Sequence, residues 1–334
     1  MMPASPTIAI VGGGMAGLSC AQRLRRMGHD VQVFDKGRGP GGRVCTRHDA
    51  TAGNFDHGAQ FVTVRDPDFE IWINEGIATG SVARAAWRLR RPDREPGDRE
   101  DPTRWVGSPS MSALAQALVQ NLSIERGVRI VGLQRHGQDW YLDAEGGQRW
   151  GPFTQVVLAV PAPQAHELLE PVAPSLAARV AQARMAPCWA LMVSWDEPLD
   201  LPFDAMEAEH PVLAWVARDA SKPGRDSGER WVLHAGASWS HTHLEAPAED
   251  VVAPLLAAFD DWAGQALPAP RHARAHRWRY AKVVEALGVQ GLLDEGLGLA
   301  ACGDWCRGSR VEDAWLSGWH TAAWLHRAAL PRVA

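Results

Sequence analysis

Lysine and tyrosine are the scarce residues of this 334-residue chain. Lys36, Lys222 and Lys282 are the only lysines among its 34 basic residues, and Tyr141 and Tyr280 are its two tyrosines. The arginine bias goes with richness in Ala, Gly and Pro, and genome base composition accounts for it. No apolar run approaches the roughly 18 residues needed to cross a bilayer, so no membrane partner is expected. The apolar run Ile8 to Val11 lacks a basic lead and is too short for a signal peptide, which makes the cytoplasm the expected location. Cys20, Cys45, Cys188, Cys302 and Cys306 form an odd set in a large chain, which excludes a disulfide scaffold. A net charge of −5 leaves no positive surplus for a general nucleic-acid partner. What is present is a globular composition, 46% hydrophobic and 22% charged, long enough for about two domains. Sixteen tryptophans stand out, because a flat apolar ring with one donor suits flat ligands as well as cores.

Thr7-Ile8-Ala9-Ile10-Val11 is a β-branched run of the kind that forms a buried parallel strand. Gly12-Gly13-Gly14-Met15-Ala16-Gly17 follows at once. From Leu18 to Met27 apolar residues recur at intervals of three, which predicts a helix closed by Gly28-His29. Val31 to Phe34 reads as a second strand finishing at Asp35. The whole is a β-α-β unit with G-x-G-x-x-G at its first turn. Gly12 permits the turn, Gly14 lets backbone amides approach a pyrophosphate, and Gly17 lets the helix lie against the strand. The helix start, with Met15 and Ala16, offers free amides and partial positive charge to that group. Asp35 is placed to accept from both ribose hydroxyls and would repel a 2′-phosphate, which disfavours NADP. The glycine pattern alone is weak in a chain with 32 glycines. Set between strand and helix, with the acid at the next strand end, it predicts a dinucleotide site.

Lys36-Gly37-Arg38-Gly39-Pro40-Gly41-Gly42-Arg43 continues from Asp35. A simple NAD domain needs no second glycine-and-arginine loop. This one resembles the D/E-(x)n-G-G-R pattern of the flavin-binding family that includes monoamine oxidases, which packs along the FAD diphosphate. The resemblance implies Lys36, Gly42 and Arg43 as neighbours of FAD, with Arg43 a diphosphate partner. A surface glycine loop is the plain alternative. Phe55-Asp56-His57-Gly58-Ala59-Gln60-Phe61 resembles the family's next element, which runs under the isoalloxazine. It implies close approach at Gly58 and Ala59, a hydrogen bond from His57 or Gln60, and Phe61 beside them; His57 as a structural histidine stays open.

Gly127 to Leu133 and Trp140 to Asp143 read as a hairpin, followed by a strand Val156 to Pro161. By resemblance Ile130 contacts the adenine. Leu297 to Asp304 reads as a buried strand ending in Gly303-Asp304, whose aspartate in such proteins binds a ribityl hydroxyl. A helix expected from near Ala314, with Trp315 and Ser317, would aim its N-terminus at the flavin N1/O2 locus and stabilise the reduced anion.

Between these motifs Trp189 to Trp195, Leu213 to Val216 and Trp231 to Ala237 read as strands and Ala248 to Ala266 as a helix. Residues 88 to 104 read as a solvated loop, their arginines interleaved with acids. His241 and His243 alternate as if on one face of a strand; a metal would need a third ligand. Cys302 and Cys306 lack the redox C-x-x-C spacing.

The FDKGRGPGGR loop, FDHGAQF, His276-Arg277-Trp278-Arg279-Tyr280-Ala281 and the CGDW…EDAWLSG close together resemble the bacterial renalase-like branch of the FAD amine-oxidase superfamily. The resemblance implies an α/β fold: a Rossmann-like FAD-binding domain of amine-oxidase type with an inserted, mainly antiparallel α+β substrate domain. The expected division is 1–75, 105–165 and 291–334 for FAD, and 76–104 and 166–290 for substrate. It further implies non-covalent FAD, since residues 276 to 296 hold no cysteine. The implied substrates are O2 and the 2- and 6-dihydro isomers of NAD(P)H, returned to NAD(P)+ with release of hydrogen peroxide. His57, His241, His243, Trp278 and Tyr280 are the candidates for the substrate side, and Lys282 echoes a flavin-site lysine. An amine oxidase remains the first alternative, though two tyrosines make a tyrosine cage hard to build. A non-catalytic FAD binder is the second, and oligomeric state is left open.

Overall fold

A computed structural model describes residues 7–91, 102–207 and 210–329. The first third runs β1 (Thr7–Val11), α1 (Met15–Arg26), β2 (Asp30–Asp35), β3 (Arg47–Asp49), β4 (Gly53–Phe55), α2 (Pro67–Ala78), β5 (Val82–Arg84), β6 (Leu89–Arg90), β7 (Trp105–Gly107) and α3 (Ser112–Leu118). Next come β8 (Ser123–Arg126), β9 (Ile130–His136), β10 (Asp139–Ala144), β11 (Arg149–Phe153), β12 (Gln155–Leu158), α4 (Ala162–Leu169) and α5 (Pro174–Val180). The chain then forms β13 (Arg184–Trp195), β14 (Ala205–Glu207), β15 (Leu213–Arg218), β16 (Glu229–Ala235), α6 (Ala237–Thr242), α7 (Val252–Ala263) and β17 (His272–Glu285). It closes with β18 (Leu292–Asp294), β19 (Leu299–Ala301), α8 (Asp304–Arg307) and α9 (Val311–Ala329).

The first layer is a sheet ordered β18-β19-β12-β1-β2-β8, parallel except for β18. Its central strands are buried on both faces, which is why Ile8 to Ile10 and Val156 to Leu158 read as unbroken apolar runs. One face packs Ile8, Ile10, Val31 and Val33 against Leu24 of α1 and Ala322 and Leu325 of α9. The helices meet so closely that a Cβ on Gly318 would fall on the Ala16 carbonyl. The other face, through Ala9, Val11 and Phe34, carries the β9–β11 hairpins and the pair α4 and α5. That pair spans 162–180, so the expected boundary at residue 165 falls inside α4.

The second layer is ordered β17-β13-β16-β15-β14-β6, antiparallel except for β6 beside β14. Its outer face buries Trp189, Leu191, Trp231 and Leu233 under Leu255 and Phe259 of α7, each large side chain contributing about 1.5–3 kcal/mol. Its inner face meets the β3–β4 hairpin, where Phe55 packs on Met192 and Val232. The parallel sheet draws strands from 7–35, 123–158 and 292–301, whereas the antiparallel sheet draws on 89–90 and 184–285. The first layer is thus interrupted and completed only by the last strands.

Boundary differences are local. α9 starts at Val311, three residues before the expected Ala314, because Glu312 and Asp313 occupy its first turn and are buried there. The expected helix from Ala248 is shorter, with Gly264 in the left-handed region closing it. Part of the stretch 88–104 lies outside the described residues.

Candidate functional site

At the β1–α1 turn a Cβ on Gly17 would fall on the Gly12 carbonyl oxygen, so the helix starts flush against the strand end. A Cβ on Gly14, by contrast, meets nothing within 4 Å. The N-terminus of α1 has no side-chain cap and no acid in its first turn, leaving it open to an anion. Asp35 holds the turn, its carboxylate accepting from Gly13 N at 2.6 Å and Gly37 N at 2.5 Å. The second loop docks on the same turn, Gly41 N donating to Gly13 O at 2.8 Å. Lys36 is exposed there. Arg43 donates two parallel bonds to Asp304, at 2.7 and 2.8 Å, and a third to Ala281 O at 3.1 Å. Three motifs far apart in the chain therefore converge. Asp35 and Asp304 each keep acceptor positions beyond those used, because a carboxylate offers about four. An uncapped helix start, clear space at Gly14 and acids with spare lone pairs fit a flavin dinucleotide.

The 55–61 segment lies beside this cradle. Ala59 N donates to Arg43 O at 2.8 Å, and a Cβ on Gly58 would strike that same oxygen. Beneath it sits a buried charge cluster. Asp56 accepts from Thr46 Oγ1 at 2.6 Å and Met111 N at 3.0 Å, and its other oxygen takes Lys222 Nζ at 3.2 Å and Arg225 Nη2 at 2.5 Å. Lys222, with no side-chain exposure, also reaches Asp219 at 2.5 Å and Gln60 Oε1 at 3.0 Å. Burial draws the Asp56 carboxyl up, but Lys222 and Arg225 outweigh it and leave it below the ordinary carboxylate value. Burial pushes Asp219 upward.

The inner face of the antiparallel sheet closes the site. Cross-strand register sets His234, Ala190 and His276 in one row of β16, β13 and β17. The small alanine leaves room for His57, whose ring lies 4.8 Å from His276 and 4.9 Å from Trp278, centroid to centroid. The His57 carbonyl accepts from Trp278 Nε1 at 3.0 Å and from His234 Nε2 at 3.2 Å. Its own Nδ1 is buried without a partner. Burial, then His276 and Arg47, holds His57 down to about 3. Burial likewise lowers His234 to about 4, and burial with Arg47 and Arg274 lowers His276 to about 4. All three are neutral, weak bases near neutral pH. The wall can stack a flat ring and offer hydrogen bonds, but it presents no unpaired carboxylate as a general base.

Several expected residues have other roles. His241 and His243 belong to α6 and its C-cap rather than to a strand. His243 stacks on Trp239 at 4.0 Å and its carbonyl receives Trp189 Nε1, which places both histidines behind the sheet from His57. Gln60 is consumed in bracing its own loop, donating to the Asp56 and Gly58 carbonyls. Phe61 packs with Trp87 and Trp215. The Ile130 side chain is core, beside Leu133 and Trp140. Ala314 lies inside α9, and Trp315 stacks among Trp72, Phe69 and Trp319. Ser317 Oγ accepts from Gly303 N at 3.0 Å and donates to Gln290 O at 2.7 Å, bracing the Gly-Asp turn. Tyr280 is half-buried two residues beyond Trp278, and Lys282 is exposed. The tryptophans expected over the flavin are mostly core: Trp189, Trp195 and Trp231 face α7, and Trp278 faces His57. Among the described residues no cluster of three or more His, Cys, Asp or Glu is arranged to hold a metal, and no helix is long and apolar enough to cross a membrane.

His234, Lys222, Asp219 and Arg225 escape a motif reading because strand register and a distant loop bring them in. Two signals were present. His272, Arg274, His276, Trp278 and Tyr280 alternate along β17, and a buried lysine is conspicuous in a chain that has three.

Residues 10–72 match the model of an NAD(P)-binding Rossmann-like domain, and residues 98–326 match that of flavin containing amine oxidoreductase. A 55-residue stretch is 47% identical to the zeta-carotene-forming phytoene desaturase of Myxococcus xanthus, covering 16% of this chain and only 10% of that protein. The fold is similar to that of a protein from Exiguobacterium sp. 255-15 provisionally named a protoporphyrinogen oxidase, with TM-score 0.75 and 13% identity over 97% of this chain and 99% of that one. It is also similar to putrescine oxidase bound to putrescine, with TM-score 0.68 and 14% identity over 96% and 98% of the two chains. The second family match alone spans well over half of the sequence, so the chain belongs to the flavin-containing amine oxidoreductase family.

Proposed function

We propose that this is an FAD-dependent oxidase of the renalase-like branch, acting on the 2- and 6-dihydro isomers of NAD(P)H. The observation that carries the reading is the wall built by His57, His276 and Trp278: aromatic rings packed edge-to-face and tilted on one another, neutral and without a free carboxylate. A dihydronicotinamide is already a hydride donor and needs only to be stacked and shielded from water. An amine substrate held by a tyrosine pair finds none here. Tyr141 lies in β10 against His136, in a different sheet from Tyr280 of β17.

When bound, the flavin would supply the redox chemistry: hydride leaves C2 or C6 of the substrate to give the nicotinamide cation, and the two electrons pass to O2 with protons to give hydrogen peroxide. The protein's part is positional. The start of α1, Asp35 and Arg43 would hold the diphosphate and ribose, and Asp304 a hydroxyl of the ribityl chain. Trp278 and His57 would form the ring wall, with the orphan His57 Nδ1 as a hydrogen-bonding group facing the ligand. FAD would be non-covalent, because residues 276 to 296, where the covalently flavinylated relatives carry their cysteine, hold none. An interrupted division of the chain, with 1–75, 291–334 and a middle piece from 105 to the α4–α5 pair for FAD, belongs to the same reading.

The test is anaerobic mixing of the yellow protein with the 2- and 6-dihydro isomers, with pure 4-dihydro-NADH and with an amine panel that includes putrescine. Loss of the oxidised-flavin absorbance is expected with the isomers. Bleaching by an amine and by no isomer overturns the proposal, and bleaching by nothing supports a non-catalytic binder. Acid precipitation is expected to leave all flavin in the supernatant.

A further inference from the structure

Two guanidinium groups lie beside the histidine row. In the β3–β4 ladder Arg47 stands opposite Phe55, which packs on Met192, and Met192 stands opposite Arg274 in the β13–β17 ladder. This chain of contacts brings Arg47 and Arg274 to the same end of the site. Among the described residues neither has a carboxylate within salt-bridge distance, although most nearby charges are paired. Asp49, two residues along from Arg47, attracts it but is not within salt-bridge distance: one oxygen accepts from Thr51 N, Thr51 Oγ1 and Ala52 N, and the other faces His272 at 3.8 Å. Asp56 and Asp219 are committed to Lys222 and Arg225, and Asp304 to Arg43. Arg47 is half-buried and Arg274 exposed; burial and repulsion from Arg274 disfavour the Arg47 cation more than Asp49 favours it. An arrangement that desolvates one cation beside another is costly unless an anion joins them.

We propose that Arg47 and Arg274 form a subsite for the phosphate groups of a nucleotide substrate. This deepens the dihydronicotinamide reading and rests on it. Arg274, His276 and Trp278 occupy alternate positions on one face of β17, so Arg274 stands about 13 Å along the strand from Trp278 at about 3.3 Å per residue. A ribose together with the length of the arginine side chain bridges that interval, which places the reacting ring at Trp278 and the phosphates at the guanidinium pair. Arginine suits the task because its planar fork matches phosphate oxygens two at a time. The same pair repels a cationic amine.

The test uses flavin-loaded protein and ADP-ribose, which carries the diphosphate but no nicotinamide. Calorimetric titration of wild type, Arg47→Gln, Arg274→Gln and the double variant is expected to show affinity falling about 10- to 100-fold for each guanidinium removed. The visible spectrum and thermal midpoint should be unchanged, and Arg274→Lys should restore part of the affinity. In turnover, KM for the phosphorylated isomers should rise by a similar factor at constant kcat, while a phosphate-free N-benzyl-dihydronicotinamide reacts as with wild type. Equal ADP-ribose affinity in the double variant overturns the subsite, as does an equal loss with the N-benzyl compound. Arginine-dependent ADP-ribose binding in a protein that no dihydronicotinamide bleaches supports the subsite and removes the catalytic reading, so the two fail separately.

Discussion

The two layers facing each other across the candidate site are built on opposite principles. On the nucleotide side the groups come from short motifs: a glycine turn, the acid that ends the next strand, and a loop docked back on the turn. On the substrate side the groups are neighbours only through register, with His234, Ala190 and His276 drawn from three strands and His57 laid over the alanine. The first tolerates little change, because backbone meets backbone or ligand there. The second is a surface of side chains on a rigid sheet, where chemistry can vary while the fold holds. The family match over residues 98–326 runs through both layers, but only the first carries its groups in short motifs.

Substitutions at two glycines break the comparison most sharply. Gly14→Val should abolish flavin retention while the thermal midpoint of the flavin-free protein stays put, since a Cβ there meets no atom within 4 Å. Gly17→Ala should lose the flavin and also destabilise the protein by about 1–3 kcal/mol or more, because its methyl group falls on the Gly12 carbonyl. A yellow Gly14→Val protein would refute the phosphate cradle. The seam between the layers comes next. Lys222→Met should cost about 3–5 kcal/mol in urea unfolding by leaving Asp56 and Asp219 with one cation between them, and adding Asp219→Asn should recover part of the loss.

Trp278→Ala removes the ring wall and one of the two donors to the His57 carbonyl. Flavin bleaching by the preferred donor should slow by about one to two orders of magnitude, with flavin content unchanged. A last effect, spread over several pH units, is in pH. The unfolded histidines take up protons near 6.5, whereas folded His57, His234 and His276 stay neutral to about 3 or 4. The unfolded state thus binds more protons in that window. Stability should be complete above about pH 7 and fall between 6.5 and 4, by up to about 1.4 kcal/mol per pH unit for each histidine. Replacing His234 by Gln should flatten the slope of unfolding free energy against pH, and an unchanged slope would count against its neutral burial.

Much of the nucleotide side was legible because its determinants are adjacent in sequence: Gly12 to Gly17 and Asp35 announce a local geometry that needs no partner. Arg43 and Asp304 were both legible, but their pairing was not, since nothing in either motif encodes an interaction 261 residues away. His241 and His243 misled because alternation over three residues cannot distinguish a strand from the start of a short helix. The tryptophans misled for a related reason: a strand shows one face to α7 and the other to the site, and composition does not tell which. Lys222 and Arg225 sit in a loop whose sequence carries no period at all.

The Arg43–Asp304 bridge has a consequence for biosynthesis. A nascent chain that has emerged only as far as β17 displays the whole glycine turn and its arginine loop, yet lacks the aspartate that anchors the arginine, the strand β19 and the helix that packs over α1. Cofactor capture is expected only once Asp304 and α9 have joined the first layer. Ribosome-stalled chains ending near residue 290 should be colourless, and yellow colour should arrive with Asp304 and α9. Cofactor retention would then report that the Arg43–Asp304 bridge and the α1–α9 contact have both formed.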